Sequence, residues 1–161
     1  MSNGTERGFG YGLLIAITVI IVLLDQITKT FITALLSLHQ SIEVIGGFLN
    51  IIYIRNPGAA FGILGGWGAM RMVFLIVVSL TALVVIIYLY SKSTERFTAL
   101  ALSLIAGGAA GNLIDRVRFG EVIDFLDFSL GGYHWPAFNV ADSAITVGVI
   151  LIMAHSLLRK E

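Results

Sequence analysis

Four stretches of the chain are apolar with almost no interruption, at about residues 12–36, 72–90, 97–114 and 139–158. Each is close to or above the roughly 20 residues that a helix needs to cross a hydrocarbon core. The second and third contain no Asp, Glu, Lys or Arg. The pattern therefore predicts four transmembrane helices. Only residues 91–96 separate the second from the third, which forces those two into a tight antiparallel hairpin. The other two connections, 37–71 and 115–138, are longer. With an even number of spans, both emerge on the face opposite the termini.

Within those connections the period changes from helix to strand. Residues 42–45 and 48–54 are β-branched or aromatic runs on either side of Gly46 and Gly47, a two-residue hairpin signal. A second ribbon is predicted from 122–128 and 133–138, joined by 129–132, with Pro136 suited to an edge. Both ribbons have apolar or amphipathic faces that suit resting on lipid or on each other. The expected fold is a mainly α integral membrane protein: four transmembrane helices carrying a small antiparallel β cradle on the extracytoplasmic side, in a single membrane domain over residues 1–161.

Composition agrees with a bilayer solvent. Of 161 residues, 57% are hydrophobic and 12% charged, against about 25% charged in soluble domains. Ten basic and ten acidic residues cancel, leaving no basic surface for nucleic acid. The absence of cysteine removes disulfides, thiolate nucleophiles and zinc–thiolate sites. Arg7 ahead of an apolar run could announce a cleaved leader, but no small-residue cleavage site follows and the apolar pattern resumes after Asp25 and Lys29, so the segment is expected to remain as the first span. Arg7, Lys92, Arg96, Arg159 and Lys160 on the terminal face outnumber Arg55, Arg71, Arg116 and Arg118 on the other by one. That slight bias favours cytoplasmic termini.

Ionisable groups in or near a span are costly, so each is a candidate for function. Asp25 and Lys29 stand four apart on one helix face, spaced for a structural ion pair. Gly107 and Gly111 have the spacing of close helix packing. Asn112, Asp115 and Arg116 form a polar cluster that either ends the third span or builds a site. The segment Arg55-Asn56-Pro57-Gly58-Ala59-Ala60-Phe61 is either a turn or a place where small side chains admit a ligand. Asp124 sits in the second ribbon among apolar neighbours, where an isolated carboxylate is expensive to ionise. Asp142 follows Asn139 by three, which also suits an N-cap and a third-position acid that favours the helix dipole.

His39, His134 and His155 show no metal-ligand spacing, and no nucleophile-elbow motif occurs. Without thiol, metal motif or evident serine arrangement, an aspartate pair is the simplest hydrolytic apparatus on offer. One carboxyl would keep a proton while the other acts as base. No metal or cofactor is expected. A proton-coupled transporter with relay acids and a non-enzymatic scaffold remain as alternatives.

Five segments in this order, Asp25-Gln26-Ile27-Thr28-Lys29, Arg55-Asn56-Pro57-Gly58-Ala59-Ala60-Phe61, Gly111-Asn112-Leu113-Ile114-Asp115-Arg116, Val122-Ile123-Asp124-Phe125 and Phe138-Asn139-Val140-Ala141-Asp142-Ser143, resemble the motifs of the lipoprotein signal peptidase (signal peptidase II) family. The resemblance implies a bacterial four-span aspartyl peptidase of the cytoplasmic membrane, which removes the signal peptide of prolipoproteins ahead of a diacylglyceryl-modified cysteine. It implies Asp124 and Asp142 as the catalytic pair, with Asn56, Gly58, Asn112, Arg116 and Asn139 shaping the substrate site. Asp25, Lys29 and Asp115 would support it. Membrane lipids are the expected surroundings, and a monomer the expected state.

Overall fold

The computed structural model describes residues 10–58 and 69–158. Ala59, Ala60 and Phe61 of the second motif, and Arg7, Arg159 and Lys160, lie outside them. In chain order the elements are α1 (Tyr11–Leu35), β1 (Ser41–Ile45), β2 (Leu49–Asn56), α2 (Ala69–Lys92), α3 (Arg96–Phe119), β3 (Val122–Leu130), β4 (Tyr133–His134) and α4 (Val140–Leu158). All four helices are long and apolar enough to cross a membrane, and each satisfies its own backbone, as a hydrocarbon solvent requires. Their outer faces expose residues such as Ile15, Phe31, Val84 and Ile150. In water such a surface would be untenable for a monomer; in lipid it costs nothing.

The most enclosed helix is α3, which packs on α1, α2 and α4. Its buried positions include Ala99, Ala101, Ser103, Ala106, Gly107, Gly108 and Gly111, side chains small enough for backbones to approach closely. A β-carbon on Gly107 would stand 2.7 Å from that of Ile21 on α1, and one on Gly108 would collide with the Ala141 carbonyl oxygen on α4. The GxxxG spacing is thus part of a wider small-residue surface facing two helices at once. Away from the sheet, Leu14, Ile86, Tyr90, Ala99, Leu102 and Ala106 form an apolar cluster joining α1, α2 and α3.

Two differences from the sequence expectation matter for the site. The third span does not stop at residue 114: Asp115 is buried in an ion pair, so the polar cluster continues the helix to Phe119. Gly120, at φ 76°, then ends it by donating its N–H to the Arg116 carbonyl, a left-handed cap that glycine adopts without strain. The two ribbons, expected to rest on lipid or on each other, join edge to edge. They form one four-stranded antiparallel sheet in the order β1-β2-β3-β4, which makes β3 an interior strand buried along most of its length. The fourth strand shrinks to two residues, and Phe138 rejoins the sheet only as a bridge to Leu126. Gly46 and Gly47 do form the first turn, closed by Phe48 N–H to Ile45 oxygen at 2.9 Å.

The register places Asp124 opposite Ile54 and Leu126 opposite Ile51, so Ile52 and Tyr53 together face the single residue Phe125. This bulge lets the Tyr53 backbone pair with His39 and Gln40 while its ring packs with Leu36 and Ile123. The sheet is thereby seated on the end of α1.

The small-residue surface gives a direct test. Gly108→Val should lower the thermal unfolding midpoint in detergent, since overpacking costs about 1–3 kcal/mol. Gly12→Val, where an added β-carbon meets nothing within 4 Å, should change it little; equal effects would contradict the packing described.

Candidate active site

The deepest polar feature is a buried ammonium. Lys29, 2% exposed, lies 2.8 Å from Asp25 Oδ2 and 2.7 Å from Asp115 Oδ2, and it donates to Asn112 Oδ1 at 3.1 Å. The i, i+4 pair read from the sequence exists, but it is half of a triad. Gln26 closes the far side, donating to Asp115 Oδ1 at 2.9 Å and Asp25 Oδ2 at 3.1 Å. Each carboxylate also holds an element end. Asp25 Oδ1 accepts the Ala141 N–H at the start of α4, and Asp115 Oδ2 accepts the Ile123 N–H at the start of β3. A β-carbon on Gly111 would sit 2.7 Å from Asp25 Oδ2, so the small residue there makes room for the carboxylate.

Above the triad lies a layer of amides. Asn139 is the N-cap of α4: its Oδ1 accepts the Asp142 N–H at 2.8 Å, as the spacing of three suggests. Its Nδ2 points the other way, 2.7 Å from Asp124 Oδ1. Asn112 accepts from Lys29 and from Asn139, and donates from Nδ2 to Asp142 Oδ1 at 2.7 Å. Asn56, at the end of β2, donates to Asp124 Oδ2 at 2.9 Å, and its own orientation is fixed because Oδ1 accepts the Gly58 N–H. Gly58 has φ 75°, and a side chain on it would strike Leu75. Asp124 and Asp142 are therefore brought to one place from β3 and α4, their carboxylates linked through Asn139 and Asn112.

Their surroundings differ. Asp124 is 1% exposed and both its oxygens accept from amides. Burial, offset in part by the Asn56 bond and reinforced by the nearby charge of Asp142, pushes its carboxyl up to about 6. Asp142 has one oxygen held by Asn112 and borders a groove of about 580 Å³, lined also by Trp135, Phe138, Ser143, Thr146 and Val147. Arg116 lies beside both, within electrostatic reach of Asp142, Asp115 and Asp124. Its Nη1 donates to Ser79 Oγ on α2 at 3.4 Å, while its buried Nε has no partner among the described residues.

Sequence reading overlooked several of these groups. Gln26 was visible as a polar side chain late in a span, a signal of an interior partner. Ser79 gave no such signal, because a lone hydroxyl can bond its own helix, as this one also does to Leu75. Asp127 points away from the site, to Asn50 and to His134 Nδ1 at 2.9 Å.

A family model described as signal peptidase (SPase) II matches residues 17–158. The chain belongs to the signal peptidase II family. It is 51% identical over 148 residues to the lipoprotein signal peptidase of Desulforapulum autotrophicum, covering 89% of this chain and 91% of the relative. To that of Geobacter sulfurreducens it is 54% identical over 140 residues, covering 86% of each. A bacterial membrane enzyme solved by the in meso method superposes with a TM-score of 0.85 at 41% identity, over 96% of this chain and 93% of the other. Signal peptidase II is an aspartic peptidase, so a carboxylate site at the sheet end of a four-helix membrane protein is the chemistry this family calls for.

Two outcomes follow from the geometry. A carboxyl raised from 3.8 to about 6 binds its proton more tightly in the folded state, so its contribution to stability is full below about pH 3.8 and is lost as pH rises through 6. The unfolding midpoint of the native chain should accordingly fall relative to Asp124→Asn as pH rises from about 4 to 7; a constant difference would refute the shift. Lys29→Met, which strands two buried carboxylates, should destabilise by about 3–5 kcal/mol, measured by denaturation in mixed micelles.

Proposed function

We propose that this chain is a peptidase that hydrolyses the bond ahead of a diacylglyceryl-modified cysteine in prolipoproteins, with Asp124 and Asp142 as the catalytic pair. Membership of the signal peptidase II family supports the removal of prolipoprotein signal peptides. The observation that supports the finer reading is the amide relay that runs from the Asp124 carboxylate through Asn139 and Asn112 to the Asp142 carboxylate, beside an apolar groove at the ends of the spans.

In this mechanism the two carboxyls share one proton, because like charges so placed do not readily both ionise. Asp124, whose surroundings favour the protonated form, donates to the scissile carbonyl oxygen. Asp142, with an oxygen free toward the groove, takes a proton from the attacking water. The tetrahedral intermediate then collapses as a carboxyl delivers a proton to the leaving amine. Asn56 and Asn139 aim Asp124, and Asn112 aims Asp142. Arg116 Nε supplies a donor for a peptide carbonyl of the bound substrate, and Gly58 keeps the wall beside Leu75 low. The chemistry uses no metal.

A substrate made of a signal helix and acyl chains is itself dissolved in the bilayer, so it reaches the site sideways from lipid while water enters from the sheet side. In this reading the enzyme sits in the bacterial cytoplasmic membrane with both termini and residues 93–95 in the cytoplasm, and the sheet outside.

The decisive experiment is cleavage of a diacylglyceryl-modified prolipoprotein peptide by the purified chain in detergent. Asp124→Asn and Asp142→Asn should each fold and bind substrate yet lose turnover by orders of magnitude, as members of a cooperating set do. Asp127→Asn should retain turnover at saturating substrate. Near-normal cleavage by either dyad variant would remove that residue from the mechanism. For topology, single cysteines at Ser93 and Gly131 should be labelled from opposite faces by an impermeant reagent, with outside labelling at 93 reversing the orientation.

A further inference from the structure

Two cavities of unlike character meet along α1, the smaller one bordering the Lys29–Asp115 ion pair. One is an apolar groove of about 390 Å³ along Leu23, Ile27, Phe31 and Ala34. The other is a small cleft of about 120 Å³, evenly polar and apolar, between the outer ends of α1 and α3 and walled by Thr33, Arg118 and Phe119. Gln26 and Thr30 line both, so the groove and the cleft adjoin.

The mouth of the cleft is cationic. The Arg118 guanidinium stacks 4.7 Å from the centre of the Phe119 ring, and that of Arg55, from β2, lies 5.5 Å from the same ring. Neither makes an ion pair with a carboxylate among the described residues. Glu121 acts on Arg55 only at longer range. Asp115, at the floor, is committed to Lys29, Gln26 and the Ile123 N–H. Arg118 donates to Gln26 Oε1 at 3.3 Å and has its other N–H groups to spare.

Two guanidinium groups bordering one ring, neither paired with a carboxylate among the described residues, leave local positive charge that an anion would neutralise. Arg118 stands in the last turn of α3, at the depth where lipid phosphates lie, and a guanidinium matches phosphate with paired donors. The apolar groove, leading from that point along residues four apart on α1, has the form of an acyl-chain track. We propose that this composite cleft binds one membrane glycerophospholipid, its phosphate on Arg118 and Arg55 and an acyl chain along Leu23, Ile27 and Phe31. Bound there, the lipid clamps α1 to α3 directly over the Asp25–Lys29–Asp115 triad. The inference does not depend on the peptidase reading.

The test is native mass spectrometry of the delipidated full chain in neutral detergent, titrated with phosphatidylglycerol, with diacylglycerol of the same chains, and with inorganic phosphate. Phosphatidylglycerol should give one saturable adduct per chain and raise the unfolding midpoint, whereas diacylglycerol and inorganic phosphate should bind far more weakly. Arg118→Gln should weaken the phosphatidylglycerol adduct about tenfold, the effect of losing one hydrogen bond to a charged group, and Arg118→Lys should lose less. Should Arg118→Gln fail to fold, Arg55→Gln carries the same comparison. Equal binding of diacylglycerol would reduce the groove to nonspecific lipid contact. Equal binding of inorganic phosphate would make it a free-anion site, and an unchanged adduct in both glutamine variants would overturn the proposal.

Discussion

A lysine almost wholly withdrawn from solvent cannot keep its charge alone, and the whole site is organised around that constraint. Removing an ammonium from water costs several kcal/mol even after relaxation, and only close, well-oriented partners return it. Lys29 finds them in Asp25 on its own helix and Asp115 on α3. Once those carboxylates are in place, their remaining oxygens reach the first turn of α4 and the first residue of β3. One buried charge thus determines where four elements end and begin relative to one another.

Between this charged layer and the two candidate catalytic acids stand only neutral amides. Asn112, Asn139 and Asn56 each both accept and donate, so each passes orientation from one neighbour to the next without adding a full charge. A lysine or arginine in direct contact would hold a carboxyl firmly ionised, whereas amide donors steady the carboxylate and leave room for burial and the second acid to favour a proton on Asp124. The arrangement keeps the ion-paired layer and the two candidate acids apart, each with its own kind of partner.

Much of this was legible along the chain. Apolar run length defines the spans, and β-branched runs around Gly46 and Gly47 define the first hairpin, because both signals are local. The four-step spacing from Asp25 to Lys29 pointed to a pair, and the three-step spacing from Asn139 to Asp142 to a cap, since each lies within one helical turn. What could not be read was set by contacts between distant segments. Asp115 suited either a helix end or a site until Lys29 supplied its counter-charge, and whether the two ribbons met lipid or each other stayed open because cross-connection pairing leaves no periodic trace. The five-motif resemblance selected Asp124 and Asp142 from among several plausible acids, but it carried no information on the Gln26 bridge or the amide relay beneath them.

The hydrogen bond from Ala141 to Asp25 spans 116 positions of the chain, and it joins α1 to α4. Long-range closure of this kind comes late in assembly, because its entropy must be met before it is rewarded. The amide that aims Asp124 and the acid Asp142 itself both arrive with that final helix. A chain holding only its first three helices has Asn56 to steady Asp124 but neither Asn139 nor Asp142, so the proposed pair is completed only when α4 packs.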